Sequence, residues 1–525
     1  MNKILILDFG SQFTQLIARR MRELGYYSFV LPGSTPLARI REFGARAVIL
    51  SGGPASVYEP GSPKPAEGFF DYLTETQLPL LGICYGMQLM VQHGRGEIRP
   101  AQKREYGRMK VRTLGGSALF SGISDFVAWM SHGDETHRLP EGYILSAESV
   151  EGAVAGISHI DRPWYGLQLH PEVTHTEQGI SILKNFLQKC ARLDADWRMS
   201  SVIEEQIDRI RKLVPADAHV LCALSGGVDS TVAATLVHRA IGDRLHCVFV
   251  DTGLLRFEEG DRVMKLFTEG LTLPVLRVNA ESRFLGKLAG VTDPEKKRKL
   301  IGAEFIAVFE DAAEELARSI GTKPSFLVQG TLYPDVIESS PAPQTSGETS
   351  HAHTIKSHHN VGGLPKDLRF QLIEPFRDLF KDEVREIGRT LGLPESFIER
   401  HPFPGPGLAV RIIGEVTKEN ADLLRSADEI FIQMLKEEGL YPRIWQAMAV
   451  LLPVKTVGVQ GDGRTHAQVI ALRAVTSQDG MTADFYPFDL GFLGRVSTRI
   501  CNEVRGVNRV TYDITSKPPA TIEWE

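Results

Sequence analysis

Ser225-Gly226-Gly227-Val228-Asp229-Ser230-Thr231 stands near the middle of the chain, between His219-Val220-Leu221-Cys222-Ala223-Leu224 and Val232-Ala233-Ala234-Thr235-Leu236-Val237. The first flank predicts a buried strand and the second opens a helix. A strand feeding a glycine-containing turn into a helix leaves backbone N–H groups free at the positive end of the helix dipole, which favours a phosphate. Asp229 adds a carboxylate suited to Mg2+. No lysine occupies the place that the pattern G-x-x-x-x-G-K requires, so chemistry other than ordinary γ-phosphate transfer is expected.

The chain has 525 residues, 42% apolar and 24% charged, with a net charge of -6. At ~150 residues per domain about three domains are expected, and composition shifts and punctuation place them at 1–192, 193–400 and 401–525. The acidic balance argues against general affinity for nucleic acid or an anionic membrane. Met1-Asn2-Lys3 runs straight into Ile4-Leu5-Ile6-Leu7-Asp8, which has no signal-peptide pattern, and no apolar stretch reaches spanning length. Five scattered cysteines (84, 190, 222, 247 and 501) form no disulfide framework, and a reducing, cytoplasmic setting is expected.

In the first third, strands at 4–7 and 47–50 alternate with a helix at 12–24 closed by Gly25, predicting a doubly wound, mostly parallel sheet. Gly82-Ile83-Cys84-Tyr85-Gly86 falls between Leu78-Pro79-Leu80-Leu81 and the helical Met87-Gln88-Leu89-Met90-Val91. This is a cysteine version of a nucleophile elbow, where the helix N-terminus favours the thiolate. The backbone N–H groups of Tyr85 and Gly53 are candidates for an oxyanion hole. Trp164 to Glu172 predicts a strand ending at His170, the candidate base, with Glu172 orienting the imidazole. Residues 95–112 hold seven Arg or Lys and two Glu, expected as a solvated face or a domain contact.

Gly82-Ile83-Cys84-Tyr85-Gly86-Met87-Gln88 and His170-Pro171-Glu172-Val173 resemble the class I glutamine amidotransferases, as do Ser51-Gly52-Gly53-Pro54 and Met130-Ser131-His132-Gly133-Asp134. The resemblance covers residues 3–190 and implies release of ammonia from glutamine through a thioester on Cys84. Gln92-His93-Gly94-Arg95-Gly96 departs from the Leu-Gly-Gly common in that family.

In the middle third, Ser201 begins a charged helix ending near Pro215, and a strand at 245–250 delivers Asp251, either a nucleotide contact or an ordinary loop carboxylate. Ser-Gly-Gly-Val-Asp-Ser resembles the loop of the ATP pyrophosphatases, which cleave ATP between the α and β phosphates. The resemblance implies an adenine-nucleotide hydrolase-like fold in which Ser225 to Thr231 cradle pyrophosphate. Four successive cations, Lys296 to Lys299, open a predicted helix; Arg298 is a candidate phosphate partner, the alternative being a solvated face. Ser339 to His353 cannot build a core and is expected to form a lid, with Lys356 reaching the phosphates. Histidines 351, 353, 358 and 359 lack a cysteine or carboxylate at ligand spacing, which disfavours zinc.

Arg400-His401-Pro402-Phe403-Pro404-Gly405-Pro406-Gly407 is non-helical punctuation. A helix at 420–438 and strands at 454–459, 468–474 and 508–513 are expected beyond it, giving a small α/β domain. Thr354 to Pro365, Gly458-Val459-Gln460-Gly461-Asp462 and the tail Lys517-Pro518-Pro519-Ala520-Thr521-Ile522-Glu523-Trp524-Glu525 resemble a family of glutamine-dependent ligases that aminate XMP. That resemblance implies a homodimer formed through the C-terminal domain, and purine-nucleotide contacts from Gln460, Lys517 and Glu523. It also implies that ATP adenylates the C2 oxygen of XMP before ammonia displaces AMP. Sulfur transfer to tRNA would need a persulfide cysteine and a basic face, an NAD synthetase would lack the tail, and a regulatory scaffold would lack catalytic residues.

Overall fold

The computed structural model describes residues 1–338, 370–460, 463–477 and 482–525. The expected lid at 339–353, Lys356, the four histidines from 351 to 359, Gly461 and Asp462 lie outside the described residues. The described chain forms two units, Met1–Ser201 and Val202–Glu525.

The first unit contains β1 (Lys3–Asp8), β2 (Tyr27–Pro32), β3 (Ala47–Leu50), β4 (Leu80–Ile83), β5 (Glu97–Thr113), β6 (Phe126–Arg138), β7 (Tyr143–Ser149), β8 (Val154–His159) and β9 (Trp164–Leu167). They make one sheet in the order β2-β1-β3-β4-β9-β8-β7-β5-β6. From β2 to β9 every pairing is parallel, and from β9 to β6 every pairing is antiparallel. Ile4 to Leu7 and Ala47 to Leu50 are fully buried, as strands covered on both faces require. Along β6 burial instead alternates, with Phe126, Ala128, Met130 and His132 turned inward, the period-two pattern of a strand with one buried face.

Several boundaries differ from expectation: the strands expected at 454–459 and 468–474 begin earlier, at Gln446 and Gly463, and a third difference bears on the site. The strand leading to His170 stops at Leu167. Leu167 O accepts the Cys84 N–H at 2.6 Å, and the chain then crosses to other strands: Gln168 N–H bonds Ala155 O at 3.0 Å and His170 N–H bonds Trp129 O at 3.0 Å. The pull of the antiparallel half, which the α/β alternation did not reveal, ends β9 early.

The second unit contains a wholly parallel sheet of β10 (Val220–Leu224), β11 (Leu245–Asp251), β12 (Val275–Asn279), β13 (Phe326–Val328) and β14 (Gln371–Ile373), ordered β12-β11-β10-β13-β14. The chain builds outward from β10 on one side and then returns to its other side. The loop after β10 therefore sits at the switch point where such sheets bind ligands. A second sheet joins β15 (Gln446–Gln460), β16 (Gly463–Thr476) and β17 (Asp484–Phe485) antiparallel, with β18 (Val507–Tyr512) parallel to β16. A single apolar core links the two sheets, running from Leu221 and Val248 through Phe305 and Val308 to Phe431, Leu435 and Leu472. Of the punctuation at 400–407, residues 400–406 are irregular and Gly407 opens a short helical turn, Gly407–Arg411, in which Leu408 N–H bonds Leu254 O at 2.8 Å, tying it to the loop after β11. Both units are thus α/β.

Candidate active sites

Cys84 lies between β4 and the helix Tyr85–His93, at φ 51° and ψ -107°. A non-glycine residue in this region stores about 1–3 kcal/mol of strain, which the surrounding packing must over-determine. Gly82 and Gly86 permit the turn: a Cβ on Gly86 would fall 2.3 Å from Leu50 O, and one on Gly82 2.6 Å from the Gly86 carbonyl carbon. Helix and sheet therefore approach more closely than any side chain allows. Gly86→Ala is expected to destabilise this unit by about 3 kcal/mol or more, since backbone cannot yield as a side chain does. Thermal unfolding, with alkylation of Cys84 as a local probe, checks this.

The strand-end loop Ser51-Gly52-Gly53 is fixed beside the elbow by Gly86 N–H to Ser51 O, 3.0 Å, and Phe9 N–H to Ser51 Oγ, 3.1 Å. A Cβ on Gly53 would stand 3.3 Å from Tyr85 Cγ, and one on Gly52 3.3 Å from His170 Cε1. Gly53 therefore packs against Tyr85, and its neighbour Gly52 against His170.

His170 Nδ1 and Glu172 Oε1 are 2.7 Å apart and both residues are buried. Phe13 packs edge-on against the imidazole, and Thr176 Oγ1 donates to His170 O at 2.6 Å. Burial pushes the imidazole down, but the Glu172 carboxylate and the hydrogen-bonded Cys84 outweigh it and raise its pKa to about 10. Cys84, His170 and Glu172 thus form one linked group. Two partners of the sulfur escaped the sequence reading: Gln168 Nε2, 3.5 Å from Sγ, and Ser131 O, 3.8 Å away. Ser131 belongs to a motif already quoted, whereas nothing local marks Gln168 except its place two residues before His170.

Because the folded imidazole titrates above its ordinary value of 6.5, the stability it contributes is complete below that pH and is lost as pH rises through about 10. Glu172→Gln should flatten this alkaline decline in the unfolding midpoint. A decline as steep as in the parent would show that Glu172 does not hold the proton on His170.

In the second unit, Ser225 to Gly227 form the turn after β10, and Val228 to Thr231 open the helix Val228–Ile241. Gly226 has φ 75°, a conformation that a side chain would strain. Ser225 Oγ lies 3.1 Å from Ser230 Oγ, and Thr231 Oγ1 donates to Gly227 O at 2.8 Å. Arg400 braces the turn from the side, donating to Gly226 O at 3.2 Å and pairing with Glu259. Burial, with Arg256 nearby, lowers the Arg400 pKa to about 10. Asp229 and the two serine hydroxyls make an all-oxygen donor set, which fits Mg2+ taken up mainly through one carboxylate and phosphate oxygens. Asp251 is engaged by Arg277 at 2.6 Å and by its own Gly253 N–H at 3.1 Å.

The tail is held by buried cations. Glu523 receives Arg411 at 2.9 and 3.2 Å and Gln446 Nε2 at 2.5 Å. Glu525 Oε2 is 2.5 Å from Lys297 Nζ, which also donates to Ile412 O at 2.6 Å, and Arg298 donates to Glu525 O. Arg473 binds Ile522 O, Thr521 O, Thr515 O and Asp513. The backbone of Lys517 pairs with Ala483, and Gln460 closes β15. Glu523 therefore lies on a clamped tail, which Arg298 meets from the helix Pro294–Ile320. Arg411 Nη1 is buried without a hydrogen-bond partner among the described residues, and its guanidinium sits 4.9 Å from the Phe403 ring centroid. Lys297, Arg411, Gln446 and Arg473 were not legible in the sequence.

Family models match two stretches: glutamine amidotransferase class-I over residues 5–190 and GMP synthase C terminal domain over residues 433–524. A glutamine-hydrolyzing GMP synthase of Nitrobacter hamburgensis is 53% identical over 100% of this chain and 96% of its own length. One from Brachyspira hyodysenteriae is 52% identical over 100% and 99%, and one from Carboxydothermus hydrogenoformans 52% over 100% of both. With that identity along its whole length, and with the cysteine elbow and the phosphate loop in the places described, the chain belongs to the family of the glutamine-hydrolyzing GMP synthases.

Proposed function

We propose that the chain makes GMP from XMP, with glutamine as nitrogen donor and ATP as activating nucleotide. The observation that carries this reading is the linked Cys84, His170 and Glu172 group in a chain that also places Ser225 to Thr231 at a sheet switch point. Cys84 attacks the glutamine carboxamide, and the N–H groups of Gly53 and Tyr85 receive the developing oxyanion. His170, oriented by Glu172, gives a proton to the departing ammonia and then activates water to release glutamate from the thioester.

At the second site the C2 oxygen of XMP attacks the α-phosphorus of ATP, and pyrophosphate leaves toward the backbone N–H groups of Ser225 to Thr231. Ammonia then adds at C2 and AMP departs, which replaces a poor leaving group by a good one. Asp229 would hold Mg2+, which when bound neutralises charge on the phosphates. Lys356 is assigned to ATP, and Arg298, Gln460, Lys517 and Glu523 to XMP. The unpartnered donor of Arg411 beside Phe403 supports a nucleotide near this tail. Copies are inferred to pair through residues 401–525, supported by Val457 and Val459 of the long strand β15, 52% and 73% exposed. No helix among the described residues is long and apolar enough to cross a membrane, and the five cysteines are free thiols, in keeping with the cytoplasm.

Incubation with glutamine, XMP, ATP and Mg2+ tests the reading. It requires GMP, AMP, pyrophosphate and glutamate in equal amounts. ADP and phosphate in place of AMP and pyrophosphate would exclude adenylation.

A further inference from the structure

The triad leaves unexplained a buried carboxamide against the nucleophile. We infer that Gln168 is a positioning residue that donates an N–H to the Cys84 thiolate and lowers the pH at which it forms; the inference rests on Cys84 being the nucleophile. Gln168 Nε2 is 3.5 Å from Sγ, and its Oε1 accepts from Gln88 Nε2 at 3.3 Å. Both side chains are buried, at 0% and 3% exposure. A buried amide must satisfy both ends. Gln88 occupies the oxygen of Gln168, which turns the NH2 group toward sulfur.

Support from the backbone fixes this arrangement. Gln168 N–H bonds Ala155 O, and Leu167 O takes the Cys84 N–H. Gln88 lies one turn along the helix that Cys84 caps. The network thus closes through the nucleophile's own helix, and the amide cannot swing away without losing a second buried bond.

The sulfur is placed between groups that prefer different protonation states. Ser131 O, 3.8 Å from Sγ, can accept from S–H and has nothing to accept from a thiolate. Gln168 N–H meets the anion. When the thiol ionises, the S–H bond breaks and the proton goes to solvent, because the imidazole beside it already holds its own proton up to about pH 10. The electron pair stays on sulfur, facing the Gln168 donor. A hydrogen bond to a charged group is stronger than one to a neutral group, so the amide favours the thiolate over the thiol.

The test is the pH dependence of Cys84 alkylation by iodoacetamide in the full-length protein, in the parent, Gln168→Met and Gln168→Glu, with glutamine protection and melting curves as controls. Gln168→Met should raise the midpoint by about one pH unit and slow alkylation near neutrality about tenfold. Gln168→Glu keeps the shape and the bond from Gln88 but sets a carboxylate against the anion, so its midpoint should rise further. It decides alone if the methionine variant melts. Glutaminase kcat should fall with the alkylation rate while KM stays within about twofold. Midpoints coinciding within about 0.2 unit, in protein whose Cys84 is labelled and protected by glutamine, overturn the role of Gln168 and leave the nucleophile in place. If glutamine gives no protection, both fall.

Discussion

Cys84→Ala is expected to abolish GMP formation from glutamine while leaving formation from added ammonium within about twofold of the parent. Removal of a nucleophile that acts with its base costs about 10³-fold or more. On the proposed function, the second chemistry falls to Ser225 to Thr231, in the second unit, and ammonium supplies what the first site no longer makes. Alanine is smaller than cysteine and meets the same φ of 51°, so any loss of folding shows in the melting curve. Measuring glutamate release and GMP formation in the same preparation separates the outcomes. Equal loss with both nitrogen sources would refute separate sites.

The complementary variant is Asp229→Asn. Pyrophosphate release in the presence of XMP should fall about 10²–10³-fold, the usual scale for removing one charge-stabilising group from a reacting phosphate. Glutamine hydrolysis should persist at its basal rate. Asparagine keeps the shape of the side chain in the first turn of the helix Val228–Ile241, and the lost dipole interaction costs only about 0.3–1 kcal/mol. The variant should therefore remain folded. Undiminished pyrophosphate release would remove Asp229 from the chemistry.

Much of this was legible because its causes are local. The elbow needs small residues two positions either side of the cysteine, and Gly82 and Gly86 declare that need in five letters. The 225–231 stretch is likewise a strand, a turn and a helix in immediate succession; β10 falls where its apolar run places it, while the helix begins at Val228, four residues before the apolar run expected to open it. What escaped depends on distant partners. β9 stops at Leu167 because the next residues bond to β8 and β6, pairings with no signature near His170. Gln168 reads as one polar residue in an apolar run, and only its approach to Sγ gives it a role.

Buried cations were the other blind spot. Lys297 stands in a run of four basic residues that reads as a solvated face, yet it alone of the four is fully buried, turned toward Glu525 and the carbonyl of Ile412. Helical rotation puts one member of such a run inward, and the sequence does not say which finds partners. Arg411 and Arg473 are fully buried for the same kind of reason: their anions, Glu523 in the tail and Asp513 just after β18, lie 112 and 40 residues away.

Adenylation of XMP is tested most directly by following its C2 oxygen. XMP carrying a heavy oxygen isotope at C2 is converted with glutamine and unlabelled ATP, and the products are weighed by mass spectrometry. If that oxygen attacks the α-phosphorus and leaves with it, the isotope is recovered in AMP, one atom per GMP formed. Isotope in pyrophosphate or in water, with unlabelled AMP, would contradict the adenylated intermediate.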